Sequence, residues 1–336
     1  MGKDRVRRWL TRVSLIFLVL VMLGACGQAS RQPTEGGPIS DLRPVSLKAG
    51  EKLRVVATTN LIGNVVQNVG GDLIDLTVLM GIGVDPHTYV PTPADTAAIH
   101  DAHLILANGA GLEANLDKIL VGAGGNAVHI RLSDGLELRE ATEEHDYEEH
   151  DHKESGEAEQ HVDPHVWFDV RNVIHWVQRI EQTLSVLDPD RADGYRTHAQ
   201  AYTRQLEELD AWIVAQIATI PHSNRKLVTN HPAFGYFADR YGLEQVGAIY
   251  PISPSSEPSA QDIADLEDAV RAFQVPAIFS ESTVNPKLAE QVAKDTGVKL
   301  VPLFTGSLGG PGSGAETYIA MMRYNVQAIV EALRDP

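Results

Sequence analysis

Residues 191–220 read RADGYRTHAQAYTRQLEELDAWIVAQIATI and carry the main evidence for how this chain is organised. The stretch lacks proline and has a single glycine, Gly194, near its start. Its apolar residues recur three and four positions apart, as at Leu206, Leu209, Ile213 and Ile217. This spacing predicts one long α-helix, which at this length would extend about 45 Å and could join two separate bodies. Two shorter helices with a break near Gly194 are the alternative.

On both sides of this stretch, short β-rich runs alternate with helix-like segments. The predicted strands are 53–58, 73–80, 102–108 and 127–132 before it, and 226–229, 245–250, 277–280 and 299–304 after it. The predicted helices include 93–101, 112–120, 259–273, 286–296 and a closing helix over 315–333. This alternation is typical of parallel sheets covered on both faces. We therefore predict an α/β protein of two lobes, each a mostly parallel sheet flanked by helices, joined by a long backbone helix.

Composition excludes several classes of protein. The 336 residues exceed what a single core usually organises, which favours two lobes. The formal charge of −17 argues against a general nucleic-acid binder, because such proteins need a basic surface to replace phosphate counterions. The single cysteine, Cys26, excludes an intramolecular disulfide and a cysteine-based zinc finger.

The N-terminus has the pattern of an export signal. Residues 1–12 carry five basic side chains, and an apolar run follows over 13–23 that is too short for a comfortable membrane span. We assign 1–25 to a signal peptide and 26–50, rich in Gly, Pro and Ser, to a flexible tether. Leu23-Gly-Ala-Cys26 resembles the bacterial lipobox, which implies lipidation of Cys26 and anchoring at the outer face of the cytoplasmic membrane. An uncleaved anchor or a free thiol is the alternative.

Residues 140–161 (EATEEHDYEEHDHKESGEAEQH) differ from the rest of the chain. They hold ten acidic residues, one lysine and four histidines: His145, His150, His152 and His161. A segment of this composition cannot bury enough apolar surface to offset its ordering entropy, so we expect a mobile loop. It is either a solvated acidic run or a weak, exchangeable binding site for a borderline cation.

Three other histidines stand in marked contexts. Asp-Pro-His occurs at residues 85–87 and again at 163–165, and His231-Pro232 directly follows a predicted strand. In open α/β sheets the carboxyl ends of the strands face the ligand crevice, so His87 and His231 should project from the two lobes toward the same gap. Imidazole suits zinc and other late divalent ions, and this pattern favours a metal site over three ordinary hydrogen-bonded histidines.

Four longer motifs extend this observation: DPHTYVPTPAD at 85–95, DPHVWFD at 163–169, HPAFGYFADRYG at 231–242 and ESTVNPKL at 281–288. In this order they resemble the metal receptors of ABC importers, the cluster A-I solute-binding proteins, and among these most closely the ZnuA-type zinc receptors. The resemblance runs from about 53 to 333. It implies a metal held between two lobes, with His87, His165 and His231 as ligands. Because manganese-type relatives commonly carry a carboxylate in the third motif, His231 favours zinc.

One departure from the family pattern leaves the fourth ligand open. Many members carry an acidic ligand before the last helix, and the matching stretch here, FTGSL at 304–308, has Gly306 at that position. Water, Glu281 or His161 could complete the site. For Glu281, we favour a carboxylate that supports another residue over one that binds the metal directly.

The resemblance implies a monomeric, non-enzymatic receptor that delivers zinc to an ABC permease with its ATPase. Its parts would be an N-terminal metal-binding lobe at 51–170, connecting helices at 171–220 and a C-terminal metal-binding lobe at 221–336. The alternatives are a manganese receptor and a zinc hydrolase, since three histidines with an open position also describe catalytic zinc. A role in cell adhesion is compatible with the receptor and has no sequence signal of its own.

Overall fold

The computed structural model describes residues 39–122, 124–141, 162–249 and 259–334. In these ranges the chain forms two sheets of four parallel strands. The first sheet contains β1 (Leu53–Thr59), β2 (Ile74–Met80), β3 (Leu104–Ala107) and β4 (Val128–Arg131), in the order β2-β1-β3-β4. The second contains β5 (Lys226–Thr229), β6 (Glu244–Ala248), β7 (Ala277–Glu281) and β8 (Lys299–Leu303), in the order β6-β5-β7-β8. The predicted two-lobed α/β fold is confirmed.

Helices connect the strands and the two lobes. In the first lobe they are α1 (Asn60–Gly70), α2 (Pro93–Asp101) and α3 (Ala114–Gly122). Between the sheets come α4 (Val170–Leu187) and α5 (Ala192–Ile217), and in the second lobe α6 (Gly235–Tyr241), α7 (Ala260–Ala272), α8 (Lys287–Thr296) and α9 (Tyr318–Arg334). Helix α1 has no counterpart among the predicted helices; it supplies the crossover that the parallel strands β1 and β2 require.

Helix α5 is one continuous helix of 26 residues, about 39 Å long. It includes Gly194 without a break, so the alternative of two shorter helices is not what the chain forms. A Cβ atom at Gly194 would lie 2.5 Å from Cδ1 of Leu73. Glycine therefore allows close approach of α5 to the first lobe.

The two lobes share a core. The largest buried cluster contains residues of both sheets and of the helices α4, α5 and α9, among them Leu53, Val177, Leu209, Phe279 and Ile329. Two smaller clusters cover the remaining face of each sheet, one around Ile105 and one around Ile278. Burial of apolar surface thus joins the lobes through the connecting helices.

The last part of the predicted tether contacts the folded body. Ile39, Leu42, Val45 and Leu47 pack against the shared core, and the Val45 N–H donates to the carbonyl of Leu187 (2.9 Å). The predicted signal peptide and Cys26 lie outside the described residues, as do residues 142–161 of the acidic histidine-bearing segment. Within the described part of the chain, we find no helix with the length and apolar character needed to cross a bilayer.

Candidate metal centre

The three predicted histidines come from three separate connections. His87 lies between β2 and α2, His165 just precedes a short 3-10 turn (Val166–Phe168) that leads into α4, and His231 follows β5. His165 and His231 are buried, and His87 is half-buried. Although 144 positions separate the outer two in sequence, parallel strands of both sheets end where the rings meet.

The rings face one another through their Nε2 atoms. Nε2 of His165 lies 3.1 Å from Nε2 of His87 and 3.0 Å from Nε2 of His231. Ring centroids are 4.8 to 5.3 Å apart. Two nitrogens bound to one tetrahedral zinc ion are about 3.3 Å apart, so both of these distances are close to that of a metal site. One ligand atom from each of the three residues lies within 4.8 Å of the other two. The donor set therefore fits a late divalent cation.

The repeated Asp-Pro-His tripeptide forms the same turn twice. Oδ1 of Asp85 accepts the backbone N–H of His87 (2.9 Å), and Oδ1 of Asp163 accepts that of His165 (2.9 Å). An Asp side chain commonly closes such a turn on the N–H two residues later. The tripeptide thus orients the backbone that presents each imidazole.

Two buried carboxylates hold the far side of two of the rings. Nδ1 of His165 lies 2.8 Å from Oδ1 of Asp163, and Nδ1 of His231 lies 2.6 Å from Oε1 of Glu281. Because a carboxylate only accepts hydrogen bonds, the proton of a neutral ring is on Nδ1 and the lone pair of Nε2 faces the centre. Glu281 also accepts from the His231 N–H and the Thr305 hydroxyl.

The environments of the rings shift their pKa values in different directions. Burial, followed by the neighbouring His165 and His231, lowers the pKa of His87 to about 2. Burial also disfavours protonation of His231, but the Glu281 carboxylate outweighs it and raises the pKa of that ring. For Glu281, burial favours the neutral acid, yet the charge and hydrogen bonds of His231 prevail and lower the pKa.

The second and third motifs are braced against each other. The rings of Phe168 and Phe234 have centroids 4.3 Å apart, and the Tyr236 hydroxyl donates to the carbonyl of Asp163 (2.9 Å). A Cβ atom at Gly235 would lie 2.7 Å from Oδ2 of Asp163, so α6 reaches this carboxylate closely only because Gly235 has no side chain. These contacts hold His165 and His231 in one packed unit.

Of the two predicted protein candidates for a fourth ligand, Glu281 lies within the described residues. Glu281 contacts His231 at Nδ1, the nitrogen that points away from the other rings, and not at Nε2. Gly306 lies against the ring of Pro86, where an added Cβ atom would come within 2.8 Å of Cδ. His161 lies outside the described residues. In the described part of the chain, His87, His165 and His231 form the only group of three or more His, Cys, Asp or Glu side chains that could hold a metal ion.

The role of Asp163 was not predicted from the sequence. Its signal was the tripeptide itself, since an Asp two positions before a histidine can reach both the N–H and Nδ1 of that residue. Asp85 stands in the same pattern and closes the same backbone turn on His87. The two histidines differ in the orientation of the ring, which depends on tertiary packing. Nδ1 of His165 lies beside Asp163, whereas the polar contact of the His87 ring is Nε2 of His165.

Most of this chain matches one family of known proteins. Residues 55–332 match the sequence model of a family described as ZnuA, zinc-uptake complex component A, periplasmic. The chain belongs to the ZnuA family. The resemblance seen in the four motifs is therefore confirmed over most of the chain.

Relatives of this ZnuA-family chain are named for different metals. It is 33% identical to the manganese-binding lipoprotein MntA of Halalkalibacterium halodurans, over 95% of this chain and 97% of that protein. The solved structure of the periplasmic zinc-binding protein TroA from Treponema pallidum is 32% identical, with a TM-score of 0.73 over 84% of this chain and 99% of that one. A manganese-bound periplasmic metal-binding protein from Candidatus Liberibacter asiaticus is 27% identical, with a TM-score of 0.73 over 84% of this chain and 100% of that one.

Proposed function

We propose that this chain is the extracytoplasmic receptor of an ABC importer and binds one divalent metal ion, preferentially zinc, through Nε2 of His87, His165 and His231. The observation that carries the proposal is the convergence of these three atoms, all within 4.8 Å of one another. Two of the rings direct Nδ1 at a buried carboxylate, an arrangement that orients metal-binding imidazoles and raises their basicity.

The preference for zinc rests on the chemistry of the donors. Three imidazoles suit zinc, whereas manganese prefers carboxylate, carbonyl and water oxygens. No carboxylate of the described residues joins the three histidines. A water molecule in the fourth position would complete a tetrahedral zinc site. Because the relatives are named for manganese and for zinc, the preference for zinc rests on the donor set.

Transport rather than catalysis is the function that we favour. A zinc hydrolase needs a general base beside the metal-bound water. The two buried carboxylates that contact the rings, Asp163 and Glu281, accept hydrogen bonds from Nδ1 atoms instead. We therefore assign the bound metal as cargo, passed to a permease that works with a cytoplasmic ATPase.

The position of the receptor in the cell is part of the proposal. Export through the signal at 1–25 and lipidation at Cys26 would hold a monomeric receptor at the outer face of the cytoplasmic membrane. MntA of Halalkalibacterium halodurans is itself named a lipoprotein, which supports the assignment. Mass spectrometry of the mature chain would test it, since an unmodified Cys26 contradicts the anchor.

Metal analysis and competition titration of the soluble form that begins after Cys26 test the metal site. We expect one zinc per chain, with loss of tight binding in His165→Ala. His175→Gln is a matched control, because the His175 ring bonds to the Asp134 carbonyl away from the centre. Selective retention of manganese over zinc would refute the donor argument. Zinc-dependent hydrolysis of esters or peptides, abolished by His165→Ala, would instead support the hydrolase.

A further inference from the structure

The three histidines are not held equally. The rings of His165 and His231 each bond to a buried carboxylate, and their motifs pack on each other through Phe168 and Phe234. The His87 ring has one polar contact among the described residues, Nε2 of His165. His87 is therefore held through its backbone: Asn115 Nδ2 donates to the His87 carbonyl (2.8 Å), and other side chains bond to the start of its connection, residues 81–92.

A buried serine from the second lobe bonds to this connection. Ser307, 1% exposed, follows β8, and its hydroxyl oxygen accepts the N–H of Gly83 (2.8 Å). The same oxygen accepts from the Asn60 amide (2.9 Å) and donates to the Leu308 carbonyl (3.0 Å). A hydroxyl has one proton and two lone pairs, so Ser307 uses its full hydrogen-bonding capacity here.

Asn60, the first residue of α1, completes the arrangement from the first lobe. Its Nδ2 donates to the carbonyl of Gly81 (2.8 Å), and its Oδ1 accepts the N–H of Leu308 (2.8 Å). Asn60 therefore bonds both to the start of the His87 connection and to the segment that carries Ser307. The pair links positions that lie 247 residues apart in sequence.

The Ser307 segment also contacts the rest of the centre. Two residues earlier, the Thr305 hydroxyl donates to Glu281, the carboxylate that holds His231. Between them, Gly306 lies against Pro86, the neighbour of His87. Residues 305–307 therefore join the support of His231 to the connection that carries His87.

We propose that Ser307 and Asn60 are positioning residues for His87. They hold residues 81–87 against the second lobe, and the metal leaves when this connection loosens while His165 and His231 stay together. The inference rests on the proposed metal-binding function. Ser307→Ala removes two hydrogen bonds to the first lobe, so the zinc dissociation rate should rise about three- to tenfold with the association rate little changed.

Two measurements on the chain that begins after Cys26 test the proposal. One is the rate of zinc dissociation into a chromogenic chelator, and the other is hydrogen exchange of the peptide over 81–87. In zinc-bound Ser307→Ala we expect faster exchange over 81–87 and unchanged exchange over 163–168. Thr183→Val is the matched control: it also removes a fully buried hydroxyl, but one whose bond to the Arg179 carbonyl stays within α4. Its zinc dissociation rate should equal that of the unaltered chain.

A second variant keeps the test decisive if Ser307→Ala does not fold. Asn60→Asp keeps an acceptor for the Leu308 N–H but loses the donors to Gly81 and Ser307, so it too should speed dissociation. If the unaltered chain binds zinc and the folded variant releases it at an unchanged rate, the proposal is wrong and the metal-binding function stands. If the unaltered chain binds no divalent metal, the proposed function itself fails.

Discussion

The Glu281 carboxylate lies 2.6 Å from Nδ1 of His231, although the two residues are 50 positions apart in sequence. His231 follows β5 and Glu281 ends β7, and these strands are parallel neighbours in the second sheet. Their carboxyl ends therefore meet at one edge. Glu281 fixes the ring so that Nε2 points to the other histidines.

Replacing Glu281 with Gln should weaken zinc binding about 10- to 100-fold. The amide oxygen can still accept from Nδ1, but the negative charge that makes the ring basic is lost. Competition titration measures the change. Glu290→Gln is the control, because Glu290 is exposed on α8 and should have no effect on affinity. Equal affinities for the two variants would contradict the role of Glu281.

Metal affinity should fall as the pH is lowered, and His231 should contribute more to this dependence than His87. With its pKa lowered to about 2, the His87 ring stays neutral across the working range. Glu281 raises the pKa of His231, so a proton on that ring competes with the metal. Metal affinity has its full value above the raised pKa of His231 and is lost as the pH falls through that pKa.

Titrations between about pH 5 and about pH 8 measure this dependence, and calorimetry in buffers of different ionisation enthalpy counts the released protons. In Glu281→Gln the pH dependence should move to lower pH, because the charge that raises the pKa of His231 is gone. An affinity that is constant over this range would rule out the proton competition.

Deleting residues 142–161 should leave the tight site intact. The remaining ends are already paired, since Glu140 and Val162 form an antiparallel bridge and the Asp163 N–H donates to the Arg139 carbonyl (2.9 Å). A short glycine linker can therefore replace the segment. We expect one zinc per chain, with a slower association rate at low salt because the deleted charges attract cations.

A variant that keeps the acidic residues but changes His145, His150, His152 and His161 to Gln separates charge from imidazole. It should associate with zinc as fast as the complete chain if the field of the acids is responsible. Loss of stoichiometric binding in the deletion, with His87, His165 and His231 unchanged, would contradict the assignment of the site.

Leu209→Ala should destabilise both lobes together. Leu209 is fully buried on α5, in the core that the lobes share, and removal of such a side chain costs about 2 to 5 kcal/mol. Val214→Ala on the same helix is the control, since Val214 is 45% exposed and should change the free energy of unfolding by about 0.5 kcal/mol or less. Urea denaturation of the metal-free protein, followed by circular dichroism and tryptophan fluorescence, measures both. Separate transitions for the two lobes would contradict a shared core.

Local sequence patterns were enough to predict the two-lobed fold. The spacing of Leu206, Leu209, Ile213 and Ile217 predicts α5, and each of the eight strands in the described ranges overlaps a predicted β-rich run. The boundaries differ by a few residues; α5, for example, ends at Ile217 instead of 220. The repeated Asp-Pro-His likewise marks two of the three histidines, because its turn depends only on neighbouring residues.

Contacts between distant segments could not be predicted from local sequence patterns. Glu281 beside His231, Ser307 beside Asn60 and Gly306 beside Pro86 depend on strand order and on how the lobes pack. The strands, the long helix α5 and the candidate histidines are thus marked locally, in periodicity and short motifs. The support of each ring and the link between the lobes come from burial of distant side chains in one core, which no local pattern records.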